Sequence, residues 1–156
     1  MAYLLDTGIL TALIKDPAGP LVHRIASVGE RQVATSAIIA GELRYAIEGR
    51  GSSRLRLGVE TVLDGLEILP LDAGADSHYA EIRRELERVR VPLGANDLWI
   101  AAHARFGGHV LVTTADREFR RIRGLLVENW LTDSTASLLV GGEPARKGAL
   151  LGSAAP

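Results

Sequence analysis

An α/β fold, with a mainly parallel sheet covered by helices on both faces, is predicted by three observations. Short apolar runs with strand character recur along the chain: Tyr3-Leu4-Leu5, Gln32-Val33-Ala34-Thr35, Glu67 to Leu71, and Val110-Leu111-Val112-Thr113. Segments of helical periodicity separate them, the pattern of a sheet whose strands are joined by helical crossovers. The 156 residues, 47% hydrophobic and 24% charged, suffice for one domain with a real core and argue against disorder.

The elements follow in order. Residues 2–6 form a short buried strand ending at Asp6. Residues 8–15 form a helix stopped by Asp16-Pro17. A helix over 20–28 has Pro20 in its first turn and Gly29 beyond its end. The strand at Gln32 to Thr35 leads to Ser36, a cap for a helix running to about Gly49. A Gly/Ser loop, a helix over about 54–64 and a strand from Glu67 to Leu71 come next. Ala75 to Val89 is strongly amphipathic, with Tyr79, Ile82, Leu86 and Val89 as its apolar positions. Asn96 is placed as the cap of a helix from Asp97 to Phe106, closed by Gly107-Gly108. Residues 109–114 make the clearest strand, followed by a helical turn at 116–122 and a last strand near 125–128. The domain spans 1–131. From Thr132 the composition turns to Gly, Ser and Ala, and a flexible extension over 132–156 is expected.

The chain has no cysteine, which excludes disulfides and thiolate metal sites and favours a cytoplasmic location. No apolar run approaches the ~20 residues that span a bilayer, and the N-terminus lacks the pattern of a secretory signal. Net charge is −1, so the chain as a whole is not drawn to nucleic acid. Its distribution says more. Only Lys15 and Lys147 are lysines; the other basic residues are arginines, clustered at Arg83, Arg84, Arg88 and Arg90 and again at Arg117, Arg120, Arg121 and Arg123. Arginine offers a planar fork suited to phosphate, although a solvated helix face explains such clusters equally well.

Four acids stand where the pattern predicts apolar surroundings: Asp6, Glu42, Asp97 and Asp116. Burying a lone carboxylate costs several kcal/mol unless it is paired, neutralised or bound to a metal. In parallel α/β sheets, sites form beyond the carboxyl ends of strands. Asp6 ends one strand and Asp116 follows another. Asp97 opens a helix at the same rim. Glu42 is expected on the inward face of its helix with Ile38, Ile39, Tyr45 and Ala46. Two carboxylates ~5 Å apart repel by about 3 kcal/mol at an effective dielectric of 20, so convergence calls for a cation. Oxygen-only ligands favour Mg²⁺ or Mn²⁺, which suits phosphodiester hydrolysis. Taken singly, each acid has a plainer reading as a turn residue, cap or helix-dipole partner. The set carries the inference.

Leu4-Leu5-Asp6-Thr7, Ser36-Ala37-Ile38 with Gly41-Glu42-Leu43, and Gly94-Ala95-Asn96-Asp97 with Ile100-Ala101-Ala102 closely resemble a PIN-domain ribonuclease. Leu111-Val112-Thr113, Asp116-Arg117-Glu118-Phe119 and Val127-Glu128-Asn129-Trp130 are similar to the VapC toxins of toxin–antitoxin pairs, and the resemblance covers residues 2–131. It implies an α/β/α sandwich and a Mg²⁺- or Mn²⁺-dependent endoribonuclease acting on a structured RNA of the translation machinery, tRNA or rRNA. It also implies a VapB-like antitoxin and a toxin homodimer. By position Asp6, Glu42 and Asp97 carry over as the metal-binding acids, and Asp116 as the fourth. Thr7 and Ser36 carry over as supporting hydroxyls, and Asn96 as the residue orienting the loop of Asp97. Arg117, Arg120 and Arg121 are candidate RNA contacts. The family often has Asn after Asp-Thr, where this chain has Gly8. That departure is the one feature favouring an alternative, a non-catalytic PIN-fold module binding RNA or protein. A phosphoacceptor receiver domain also places acids at strand ends, but it needs a nearby lysine, and Lys15 and Lys147 stand elsewhere. His103 and both tryptophans, Trp99 and Trp130, are expected to be structural.

Overall fold

The computed structural model describes residues 1–133. All of the expected extension except Thr132 and Asp133 lies outside the described residues. Strands β1 (Tyr3–Leu5), β2 (Val33–Ser36), β3 (Glu67–Leu69), β4 (Val110–Val112) and β5 (Leu126–Glu128) form one sheet in the order β3-β2-β1-β4-β5. Every neighbouring pair is parallel, with Leu4 opposite Ala34 on one side and Leu111 on the other. The helices are α1 (Thr7–Lys15), α2 (Pro20–Val28), α3 (Ala37–Ile47), α4 (Ser53–Asp64), α5 (Ala75–Arg88), α6 (Ala95–Phe106) and the short α7 (Asp116–Phe119). Together they give a three-layer α/β/α sandwich, with α5 and α6 packed as a hairpin and α1, α3 and α4 packed on one another.

Burial follows strand position. The inner strands β2 and β4 are buried at every residue, as a sheet covered on both faces requires, while β3 and β5 at the edges are half open. Leu4, Leu5, Ile39, Ile100 and Leu111 are wholly inaccessible to solvent and knit the sheet to its helices. Burying such side chains contributes about 1.5–3 kcal/mol each.

Three local expectations are corrected. Asn96 does not cap α6; Gly94 does, and the helix starts at Ala95. Val89 is exposed, because α5 ends one residue earlier and Arg90 turns the chain through a left-handed conformation (φ 57°). The last helical turn stops at Phe119, whose ring is buried, rather than at 122.

The strand order places the site. From β1 the chain steps outward to β2 and β3, then returns to the other side of β1 with β4. The crevice beyond the carboxyl ends of β1 and β4 is therefore the topological switch point, where adjacent connections diverge and leave room for a ligand.

Candidate active site

Asp6 sits at that switch point. It caps α1, its Oδ1 accepting from the Thr7 backbone N–H at 2.7 Å. Its Oδ2 accepts from Thr113 Oγ1 at 2.6 Å, across the crevice from the end of β4. Asp6 is buried, and burial is the main reason its carboxyl is raised above the ordinary carboxylate range; the bonds from Thr113 and Thr7 pull the other way, and Glu42 adds repulsion.

Glu42 comes from α3, which Ser36 caps by accepting from the Ile38 N–H. The buried face of α3 is Ile39, Ala40, Leu43 and Ile47. Tyr45 and Ala46, expected inward, are exposed, Tyr45 at 83%; Glu42 is half-buried at the edge of the inward face. Its carboxylate is held on both oxygens by neutral donors, Thr7 Oγ1 at 2.8 Å and Asn96 Nδ2 at 2.9 Å. Asn96 thus ties the first turn of α6, which bears Asp97, to α3. The chain of contacts Asp6–Thr7–Glu42–Asn96 ends beside Asp97.

Asp97 is half-buried in the first turn of α6, its carboxylate folded back toward Gly94, where an added Cβ would lie 3.3 Å from Oδ2. Desolvation raises its carboxyl, and Asp6, Glu42 and Glu118 raise it further. Every charge acting on it is negative.

The fourth expected acid has donors on both oxygens. Asp116 Oδ1 accepts from the buried Asn129 side chain at 2.8 Å, and Oδ2 from Arg120 at 3.1 Å. The Asn129 bond, then Arg120, holds its carboxyl below the ordinary range. Glu118, two residues on, is the acid of α7 whose charge reaches Asp97. Sequence reasoning missed Glu118, although it stands in the same Asp-Arg-Glu-Phe run. It also missed Thr113, the first of two threonines after an aliphatic strand.

Other expected residues fall as follows. Ser36 is buried and bonds His103 Nδ1 at 3.0 Å and the N-terminus of α3, so it supports Glu42 through the helix and not by touching an acid. His103 is buried and structural, as expected. Trp130 is buried, while Trp99 is half-buried and stacks on Tyr79 at 4.1 Å. Arg120 pairs with Asp116 and Asp133; Arg117 and Arg121 are exposed with no ion-pair partner among the described residues. At Gly8 a Cβ would run into the Thr114 hydroxyl, so a larger residue after Asp-Thr requires the Thr114 side chain to shift.

Asp6, Glu42, Asp97 and Glu118 therefore share one rim within electrostatic reach. Among the described residues, no three acidic or histidine side chains already ring a single point as ligands. The donor set is nonetheless that of a hard divalent cation: oxygen only, carboxylate only, and repulsive without one.

Residues 3–125 match the PIN domain family. Ribonuclease VapC2 of Rickettsia felis is 33% identical over 132 residues, covering 83% of this chain and 98% of that protein. The tRNA(fMet)-specific endonuclease VapC of Shigella flexneri is 34% identical over 131 residues, again covering 83% and 98%. Among solved structures, VapBC2 from Rickettsia felis bound to a DNA fragment from its promoter superposes with a TM-score of 0.76 at 31% identity, covering 83% of this chain and 99% of that one. DNA-bound VapBC from Salmonella typhimurium gives 0.74 at 34%, covering 83% and 98%.

Proposed function

Because this chain belongs to the VapC ribonucleases of the PIN-domain family, we propose that it is the toxin of a toxin–antitoxin pair and cuts RNA with a divalent ion held by Asp6, Asp97, Glu42 and Glu118. The observation that carries the reading is the chain of contacts from Asp6 through Thr7 and Glu42 to Asn96, beside Asp97, with no basic side chain paired to any of these acids among the described residues. A Mg²⁺ or Mn²⁺ held by these acids would offset their mutual repulsion and would supply Lewis-acid chemistry for phosphodiester hydrolysis.

The chain's own residues do the rest. Thr113 and the Thr7 N–H fix the Asp6 carboxylate at the crevice. Thr7 and Asn96 hold Glu42 with neutral donors, which orient it without neutralising its charge. Asp6 or Asp97 is placed to accept the proton of the attacking water. Asp116 belongs to a structural clamp with Asn129 and Arg120. Arg117 and Arg121, flanking Glu118, contact the RNA backbone. The substrate is a transfer RNA, a reading supported by the tRNA(fMet) specificity of the Shigella flexneri relative. A VapB-like antitoxin is the partner, supported by the VapBC complexes among the structural neighbours. Among the described residues no helix is long and apolar enough to cross a membrane, and action on tRNA fits a cytoplasmic location.

The test is incubation of purified protein with total cellular RNA and Mn²⁺, followed by mapping of new 5′ ends. Wild type should yield discrete cuts in tRNA, abolished by chelation and by Asp97→Asn. The proposal fails if no RNA is cut under either metal while Asp97→Asn is as toxic in cells as wild type.

A further inference from the structure

Some arginines among the described residues are paired with an acid. Arg44 binds Glu60, Arg56 lies against Glu48, Arg105 binds Glu81, and Arg83 binds Glu87. The carboxyl end of α5 gathers three that are not. Arg84, Arg88 and Arg90 are exposed, and their side chains make no hydrogen bond or ion pair among the described residues. Arg84 and Arg88 are one turn apart and share a helix face. Neighbouring Glu87 is already taken by Arg83.

Arg90 adds a second, independent oddity. Its φ of 57° is the only positive φ at a non-glycine residue among those described. The turn it makes is a standard helix stop, with the Val91 N–H bonded to Leu86 O and the Arg90 N–H to Glu87 O. Glycine is the favoured residue at that position, because a side chain strains the left-handed backbone. A cation is held there against local preference. Helix-dipole stabilisation explains a basic residue in the last turn, and so Arg88. It explains neither Arg84 nor the strained Arg90.

The location matters. α5 packs against α6, and the loop over 89–94 joins the end of α5 directly to the turn bearing Asp97. An acidic rim repels RNA, so affinity must come from cations bordering it. We propose that Arg84, Arg88 and Arg90 form a phosphate-binding arm at the α5–α6 corner, which holds the RNA backbone on its way to the acids. Arg117 on α7 and Arg121 just beyond it stand near Glu118 in the chain. The arm contacts phosphates and not bases, so it acts alike on different sequences. The inference rests on the nuclease reading above.

The experiment uses the full chain carrying Asp97→Asn, so that RNA is bound but not cut, with Mg²⁺ present and a fluorescein-labelled tRNA transcript as probe. Anisotropy titrations over a range of NaCl give the slope of log K against log salt. Adding Arg84→Gln, Arg88→Gln and Arg90→Gln together should flatten that slope by roughly 2, at about 0.7 per lost contact to a single strand. It should also weaken binding by the same factor for an unrelated RNA. Arg31→Gln, before β2 at the opposite ends of the strands, should leave the slope alone. Arg90→Gly should raise the melting temperature while weakening RNA binding, a pairing no merely structural role produces. If the triple variant does not fold, Arg84→Gln alone carries the test. Cleavage by the protein with Asp97 intact is read separately. If that protein cuts RNA and the arginine variants bind RNA like the parent, the arm is wrong and the nuclease reading stands. Loss of antitoxin binding with RNA binding unchanged also overturns it, as does absence of cleavage, which removes its premise.

Discussion

Asp97 and Asp116 are the same side chain in opposite surroundings. Asp97 is packed among acids, its carboxyl pushed up by desolvation and by Asp6, Glu42 and Glu118. Asp116 has Asn129 and Arg120 as donors, which hold its carboxyl down. The second arrangement is what a chain does with a carboxylate that serves the fold: each oxygen is given a donor and the charge a partner. The first is unfavourable unless something outside the chain completes it. On the proposed reading the contrast separates an acid that binds from an acid that braces, though both are Asp.

Breaking the binding side should give the largest effect. Asp97→Asn is expected to lower RNA cleavage more than about 100-fold, beyond the usual cost of disturbing a metal site's outer partners, and to leave metal-free thermal stability no lower than wild type. A melting curve with chelator and a cleavage assay with Mn²⁺ check the two halves. A swap across α7 sharpens the comparison. Glu118→Gln should slow cleavage about tenfold or more at unchanged stability. Asp116→Ala should cost about 1–3 kcal/mol of stability by orphaning buried Asn129, with cleavage nearly intact. If Asp116→Ala silences the enzyme and Glu118→Gln does not, the assignment is reversed. Thr113→Val removes the donor to Asp6 Oδ2 while keeping the side chain's shape. Metal affinity by calorimetry should fall about tenfold, and an unchanged value would show Thr113 to be packing alone.

The smallest expected effect is on the pH dependence of metal-free stability, and its sign differs on the two sides. Asp6 and Asp97 have raised carboxyls in the folded protein. The stability they contribute is complete below the unfolded value of about 3.9 and is lost as pH rises through the raised values. Asp116 has a lowered one, so its contribution is present above about 3.9 and is lost as pH falls through the folded value. Denaturant melts across pH should therefore show Asp6→Asn gaining on wild type as pH rises. An Asp6→Asn advantage that shrinks over that range would contradict the direction assigned to Asp6.

Much of this was legible in the chain itself. Strand–helix alternation gave the parallel sheet, Asp6 after an aliphatic strand gave the crevice, and Ser36 before a helical pattern gave its cap. What stayed hidden depends on direction rather than spacing. Asp116 and Glu118 lie in one four-residue helix, and that Asp116 takes Asn129 and Arg120 as partners is not visible in their spacing. A buried threonine such as Thr113 looks like any strand former until its partner, 107 residues away, is seen. Asn96 next to an acid in a first turn reads as a cap, and only the packing of α6 near α3 brings it to Glu42. Tyr45 shares helical phase with inward residues, yet the α3 face is too narrow to include it.

The central place of β1 has a consequence for synthesis. The first strand to leave the ribosome is the middle of the sheet, and one of its neighbours, β4, is among the last to be made. At roughly 5–20 residues per second, Asp6 waits about 5–20 seconds for Thr113. A nascent chain arrested before β4 has no crevice and should cut nothing, whereas one extended past β5 should be armed. On the proposed function, a nuclease built in this order is inactive until β4 is made.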